Sequence, residues 1–286
     1  MRRVIKKIFV FLEMIKFEHS LFALPFAYAG LFLAKKGLPP VDKLIWVTGA
    51  MISFRTSAMA LNRLFDQEID SRNPRTRMRA LPAGFLKRSF VWGITLGSVA
   101  VFVFCAYRLN PLCFLLSWIP IVLAVLYPFS KRFTWGAHFL LGAILGLAPY
   151  GAWLAAGREF SWIPGLMTLG VAVWVAGFDM IYAMQDREFD VREGLYSFPA
   201  CFGEKASLNL TGFLHGIALL CWAAAGFLAQ LGVFYFSGLV LASGLLLWEN
   251  TLIRVKGIAS LQQSFFTLNV FVSVSLFVLM AVDLIL

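Results

Sequence analysis

The chain has 286 residues, of which 60% are apolar by type and only 14% are charged, with 25 Lys and Arg against 15 Asp and Glu. A soluble domain carries about 25% charged and about 45–50% apolar residues. An ordinary water-soluble enzyme is therefore excluded, and 29 Phe with 9 Trp exclude a disordered chain.

The N-terminal stretch MRRVIKKIFVFLEMIK (1–16) is basic and apolar, and no small-residue cleavage site follows it. It predicts an amphipathic segment at the membrane interface rather than a cleaved signal peptide. Nine apolar spans come next, at 17–34, 44–65, 90–107, 112–128, 135–156, 162–184, 207–229, 232–249 and 264–286. Most approach the ~20 residues a helix needs to cross a bilayer. Backbone polar groups in lipid must be satisfied internally, so the expected fold is all-α, a polytopic bundle of nine transmembrane helices. No strand alternation points to a barrel. His19, beside Glu18 at the start of the first span, has either an interfacial or a site role. His138 and His215 read as buried polar contacts between helices. The four cysteines (Cys105, Cys113, Cys201, Cys221) lack metal or redox spacing and read as buried free thiols.

Nine spans place the termini on opposite sides. With the N-terminus inside, only Lys35, Lys36, Lys43, Arg108 and Arg158 fall on outer segments, and Arg55 lies within a span. All other Lys and Arg are inside, so the net charge of +10 is a topology signal rather than a nucleic-acid-binding stripe. The expected address is the inner (plasma) membrane, with the C-terminus on the outer side.

Two inner loops, 66–89 and 185–206, are long and hold most of the acidic residues, and long loops in compact bundles tend to be functional. In the first, Asn62, Asp66 and Asp70 are spaced i, i+4, i+8 and share a helix face. In the second, Asp186 and Asp190 repeat that step, with Tyr182 one turn earlier and Asp179 further back. Both spans run inward, so each pair is expected at a helix C-terminus, where the dipole disfavours carboxylates and cations must offset them. Paired carboxylates with phosphate and water suit Mg²⁺, and the nearby Arg72, Arg75, Arg77 and Arg79 suit phosphate. Arg75 and Arg79 are themselves spaced i, i+4, although Pro74 interrupts a simple helix. Arg55, seven residues before Asn62 inside a span, is costly there, so it either contacts an anionic substrate group or makes a purely structural ion pair.

These motifs resemble the UbiA superfamily of intramembrane prenyltransferases. The family's N-x-x-x-D-x-x-x-D is met by Asn62, Asp66 and Asp70, and its D-x-x-x-D by Asp186 and Asp190. The likeness extends to RALPAG (Arg79–Gly84), YPFSKRFT (Tyr127–Thr134) and EHSLFALPFA (Glu18–Ala27). The resemblance implies a single domain over 1–286, with helices around a central cavity and a cytoplasmic cap made from the two motif loops. Asn62, Asp66, Asp70, Asp186 and Asp190 would hold Mg²⁺. Arg75, Arg79 and Lys131 would contact a polyprenyl diphosphate, and Tyr182 would lie near the reacting carbon. Lys16 matches a basic first-helix position only loosely.

The sequence looks most like the bacterial 4-hydroxybenzoate polyprenyltransferases of ubiquinone or menaquinone synthesis. Its motif phrases also resemble members that prenylate a dihydroxynaphthoate in the futalosine route. Arg55 is placed to anchor the carboxylate of either acceptor. Membrane lipid is a further expected partner, and nucleic acid is not. Two rivals are weaker. A secondary transporter concentrates ionisable groups at the midplane, and a CDP-alcohol phosphotransferase begins its acidic signature D-G-x-x-A-R, which this chain lacks.

Overall fold

The computed structural model describes residues 2–17, 20–257 and 264–286. Glu18 and His19, and with them the role expected of His19, lie outside the described residues. In chain order the helices are α1 (Arg2–Met14), α2 (Ser20–Lys35), α3 (Val41–Phe65), α4 (Gln67–Arg72), α5 (Arg88–Leu109), α6 (Pro111–Leu116) and α7 (Trp118–Ser130). They continue as α8 (Ala137–Ala155), α9 (Trp162–Ala183), α10 (Arg187–Arg192), α11 (Phe198–Leu228), α12 (Val233–Lys256) and α13 (Ser264–Ile285). Among the described residues there is no strand, and eight spans are long and apolar enough to cross a membrane. The segment at α2 is a shorter apolar helix. Among the described residues, the nine expected spans fall on helices, and the chain is a multi-pass membrane protein.

Local chemistry explains where the boundaries depart from expectation. The fourth span is interrupted at Ser117, because Pro120 has no N–H to give to the Leu116 carbonyl. The polar stretch 185–206, expected as a loop, is largely helical. Ser197 accepts the Ala200 N–H at 3.3 Å as an N-cap and Pro199 follows in the first turn, so α11 begins before its apolar run. Gly203 then bends that helix at φ 81°, a left-handed conformation that glycine adopts without steric cost. The thiols are free as expected, but only Cys105 and Cys221 are buried. Cys113 is half-buried and Cys201 is exposed beside the Gly203 bend.

The helices group into two compact units, Met1–Ser20 with Ile45–Phe129, and Leu21–Leu44 with Ser130–Leu286. In the first, the end of α1 buries Phe11, Met14 and Ile15 against Ala60 and Leu64 of α3, Leu81, and Val91 of α5. Ile8 and Phe9 remain exposed on α1.

In the second unit, Phe26, Trp174 and Trp222 form an aromatic centre, with ring centroids 5.3 Å (Phe26–Trp174), 5.6 Å (Phe26–Trp222) and 5.9 Å (Trp174–Trp222) apart. Tyr235 closes it by donating its hydroxyl to the Trp222 carbonyl at 2.9 Å. Helices α8 and α9 approach closely because Gly142 and Gly146 present no side chain to Ala172 and Thr168, the small-residue packing favoured in membranes. A Cβ on Gly142 would collide with the Ala172 carbonyl, whereas one on Gly151 would meet open space. Gly142→Ala is therefore expected to destabilise by about 1–3 kcal/mol through overpacking. Gly151→Ala gains up to about 1 kcal/mol of helix propensity. Thermal denaturation of the two variants in detergent checks the opposite signs.

Candidate active site

The first acidic motif is built within the first unit. Helix α3 ends at Phe65, and Asp66 stands at φ −94°, ψ 4°, where the chain bends before continuing as α4. Backbone bonds run through the bend, from Asp66 N–H to the Asn62 carbonyl at 3.0 Å and from Asp70 N–H to the Asp66 carbonyl at 2.7 Å. Asn62 Nδ2 donates to Asp66 Oδ2 at 3.2 Å. Arg63 Nη1 donates to Asn62 Oδ1 at 3.2 Å and lies 3.8 Å from Asp70 Oδ2. Asp70 is buried, and both its oxygens accept from Arg79 Nη1, at 2.7 and 2.9 Å.

A chain reversal delivers Arg79 to Asp70. Pro74 stops helical continuation, and Asn73 Oδ1 accepts the Arg75 N–H at 2.9 Å in the tight turn that Asn favours. Thr76 Oγ1 donates to the Asp70 carbonyl at 3.0 Å, and Asn73 and Thr76 are both buried. The Arg79 carbonyl accepts from Ala83 N–H at 2.9 Å, which ties the RALPAG turn to the same place. Arg72, Arg75 and Arg77 are exposed. Arg55 is half-buried two turns before Asn62 on α3, and Lys16 is exposed at φ 50° after α1.

The second motif repeats this construction in the second unit. Helix α9 gives way to a 3-10 turn, Met184–Asp186, and Asp186 bends the chain at φ −103°, ψ 5° before α10. The two bends carry the same letters, D-x-E-x-D-x-R, at Asp66–Arg72 and Asp186–Arg192. Each pair thus straddles the end of one helix and the first turn of the next. This corrects the expectation of two C-terminal pairs, because the second carboxylate sits where the helix dipole favours negative charge.

Asp190 is buried, and its Oδ2 accepts from Ser197 Oγ at 2.7 Å. The charges of Lys131 and Asp186 act on it. Lys131 is half-buried, and its carbonyl accepts the Tyr196 N–H at 2.7 Å. Tyr182 is exposed one turn before Asp186. His138, fully buried on α8, places Nδ1 2.6 Å from Asp179 Oδ2 on α9. His215 of α11 meets Asn250 Nδ2 of α12 at 3.1 Å.

Residues 23–273 match the UbiA prenyltransferase family. The chain belongs to that family. A UbiA prenyltransferase is a membrane-embedded transferase, and the helical architecture agrees with that. This one is 30% identical to the 4-hydroxybenzoate octaprenyltransferase of Alkalilimnicola ehrlichii over 79% of this chain and 77% of that protein. It is 31% identical to the protein of that name from Vibrio atlanticus, over 78% of each. These relatives place it on the bacterial 4-hydroxybenzoate branch of the UbiA family. Among solved structures, the apo UbiA homologue from Aeropyrum pernix superposes with a TM-score of 0.85 at 30% identity, covering 93% of this chain and 98% of that one. A UbiA homologue from Archaeoglobus fulgidus bound to DMAPP and Mg²⁺ has a TM-score of 0.73 at 17% identity, over 95% of this chain and 99% of that one, a likeness of fold.

The donor sets of the two motifs fit Mg²⁺. Among the described residues no three His, Cys, Asp or Glu side chains converge as a closed cage. Mg²⁺ asks for less than that, taking one or two carboxylates and completing its shell with water and substrate phosphate. Each bend offers two carboxylates one turn apart, and each has cations close by. Sequence reasoning missed Arg63, Asn73, Thr76 and Ser197 around them. Only Ser197 carried a readable sign, a Ser two residues before a Pro at a helix start.

Proposed function

We propose that this UbiA prenyltransferase transfers a polyprenyl group from its diphosphate to a 4-hydroxybenzoate-type ring in quinone biosynthesis, with Mg²⁺ held at the two motifs. The carrying observation is the duplicated bend, which presents a carboxylate pair with Arg79 at one copy and Lys131 at the other. The identity to 4-hydroxybenzoate octaprenyltransferases over more than three quarters of both chains supports the choice of acceptor. The motif loops and N-terminus face the cytoplasm of a bacterial inner membrane in this reading, because the Lys and Arg excess lies on that side.

Bound Mg²⁺ supplies Lewis-acid stabilisation of charge on the departing pyrophosphate. Asn62, Asp66 and Asp70 at the first motif and Asp186 and Asp190 at the second would hold it, and Arg75, Arg79 and Lys131 would add positive charge for the phosphate oxygens. The allylic C–O bond breaks with its electron pair leaving on pyrophosphate, and the apolar helices keep water from the carbocation. In this reading Tyr182 lies near the reacting carbon. A ring carbon of the acceptor donates the pair for the new C–C bond, and its proton is released.

Arg55, charged and half-buried on α3, pairs with the acceptor carboxylate in this reading. Arg55→Met is expected to raise the acceptor KM by about tenfold or more, the scale of a lost charged hydrogen bond, with little change in the prenyl diphosphate KM. Steady-state kinetics with each substrate varied check this, and the reverse pattern discards the role. Offering the purified protein 4-hydroxybenzoate and a dihydroxynaphthoate in turn tests the ring. Exclusive use of the naphthoate replaces the 4-hydroxybenzoate assignment.

A further inference from the structure

We infer that His138, oriented by Asp179, is a positioning residue for Asp190, acting through the Ser197–Phe198 segment. The inference rests on the reading of Asp190 as a metal-site residue. Backbone N–H groups only donate, so the Phe198 N–H at 3.3 Å requires a lone pair on His138 Nε2. The remaining ring proton is then on Nδ1, where it is donated to Asp179 Oδ2 at 2.6 Å. Asp179 thus fixes both the tautomer and the ring plane.

Phe198 is the first residue of α11, and the residue before it, Ser197, donates to Asp190 Oδ2 at 2.7 Å while capping the helix through Ala200 N–H. His138, Ser197 and Asp190 are all buried, so water does not substitute for a lost member. The order is Asp179, His138, the Phe198 backbone, Ser197, Asp190. It joins helix α8 to the carboxylate at the second bend. One Asp190 oxygen is held by Ser197, which leaves a defined direction for the other. Outer partners of this kind orient metal ligands, and their loss typically weakens metal affinity by about 10–100-fold.

The test titrates Mn²⁺ into the purified full-length protein with inorganic pyrophosphate present, following free Mn²⁺ by electron paramagnetic resonance. His138→Leu is expected to weaken Mn²⁺ by about tenfold and to raise the Mg²⁺ needed for half-maximal turnover by a similar factor, with acceptor KM within about twofold. His138→Gln keeps an amide oxygen for Phe198 N–H and an amide N–H for Asp179, and it is expected to restore Mn²⁺ affinity to within about threefold of the wild type. Ser197→Ala, which leaves His138 in place, is expected to reproduce the His138→Leu shift and serves if that variant does not accumulate. Wild-type Mn²⁺ affinity in His138→Leu or Ser197→Ala, alongside its loss in Asp190→Asn, overturns the positioning role while the metal site stands. Unchanged affinity in Asp190→Asn removes the metal reading and this inference together.

Discussion

Asp66→Asn and Asp186→Asn are each expected to lower prenyl transfer by about 10³-fold, the upper range for removing one group that stabilises transition-state charge. Each residue stands at a bend, with φ near −100° and ψ near 5°, immediately before a six-residue helix. Asn is as good an N-cap as Asp and nearly isosteric with it, so the bend and the helix after it persist. What disappears is one negative charge at the proposed metal site. Activity is measured as labelled polyprenyl incorporated into 4-hydroxybenzoate, with helicity followed by circular dichroism. Near-normal turnover in either variant would remove the two-motif mechanism.

Arg79→Met has the second large effect, and its dependence on metal is the informative part. Asp70 is 7% exposed and both its oxygens take the same guanidinium nitrogen. Removing one partner of a buried pair costs about 3–5 kcal/mol when the other charge is left uncompensated, and here Arg63 Nη1, 3.8 Å from Asp70 Oδ2, remains as a second cation. In chelator the variant is expected to lose less than that, because Arg63 compensates Asp70 in part and Arg79 keeps partial solvent contact. With Mg²⁺ and pyrophosphate the loss is expected to shrink if a cation bound at the first bend takes over part of the neutralisation of Asp70. The double variant Arg79→Met with Asp70→Asn is expected to be more stable in chelator than Arg79→Met alone. Denaturation in detergent under both conditions checks this. Equal losses with and without Mg²⁺ separate Asp70 from the metal.

Much of this architecture is readable from the chain because lipid imposes a simple rule. Apolar runs such as 135–156 and 162–184 have no stable option but helix, and α8 and α9 appear there within two residues of expectation. The acidic spacing is also legible, since i, i+4 is a property of letters. The bends are not. Nothing in the stretch from Asn62 to Asp70 breaks a helix by propensity, so the sequence predicts one face at a C-terminal end, while Asp66 in fact ends one helix and begins another. The partner of Asp70 was hidden for a different reason. Arg79 lies beyond Pro74, and its return depends on the turn bonds of Asn73 and Thr76. Long-range pairs such as His138 with Asp179, 41 residues apart, leave no local trace. The start of α11 was masked by composition, because Phe198–Leu208 is too polar to resemble a span yet is capped by Ser197.

The central proposal is that both acidic motifs are needed for binding a diphosphate with divalent cations. Equilibrium binding of labelled inorganic pyrophosphate to the purified protein addresses it without depending on the acceptor. The account predicts binding that requires Mg²⁺, vanishes in chelator, and is lost in both Asp66→Asn and Asp186→Asn. Pyrophosphate binding that persists in chelator, or that survives either substitution at full strength, would contradict it.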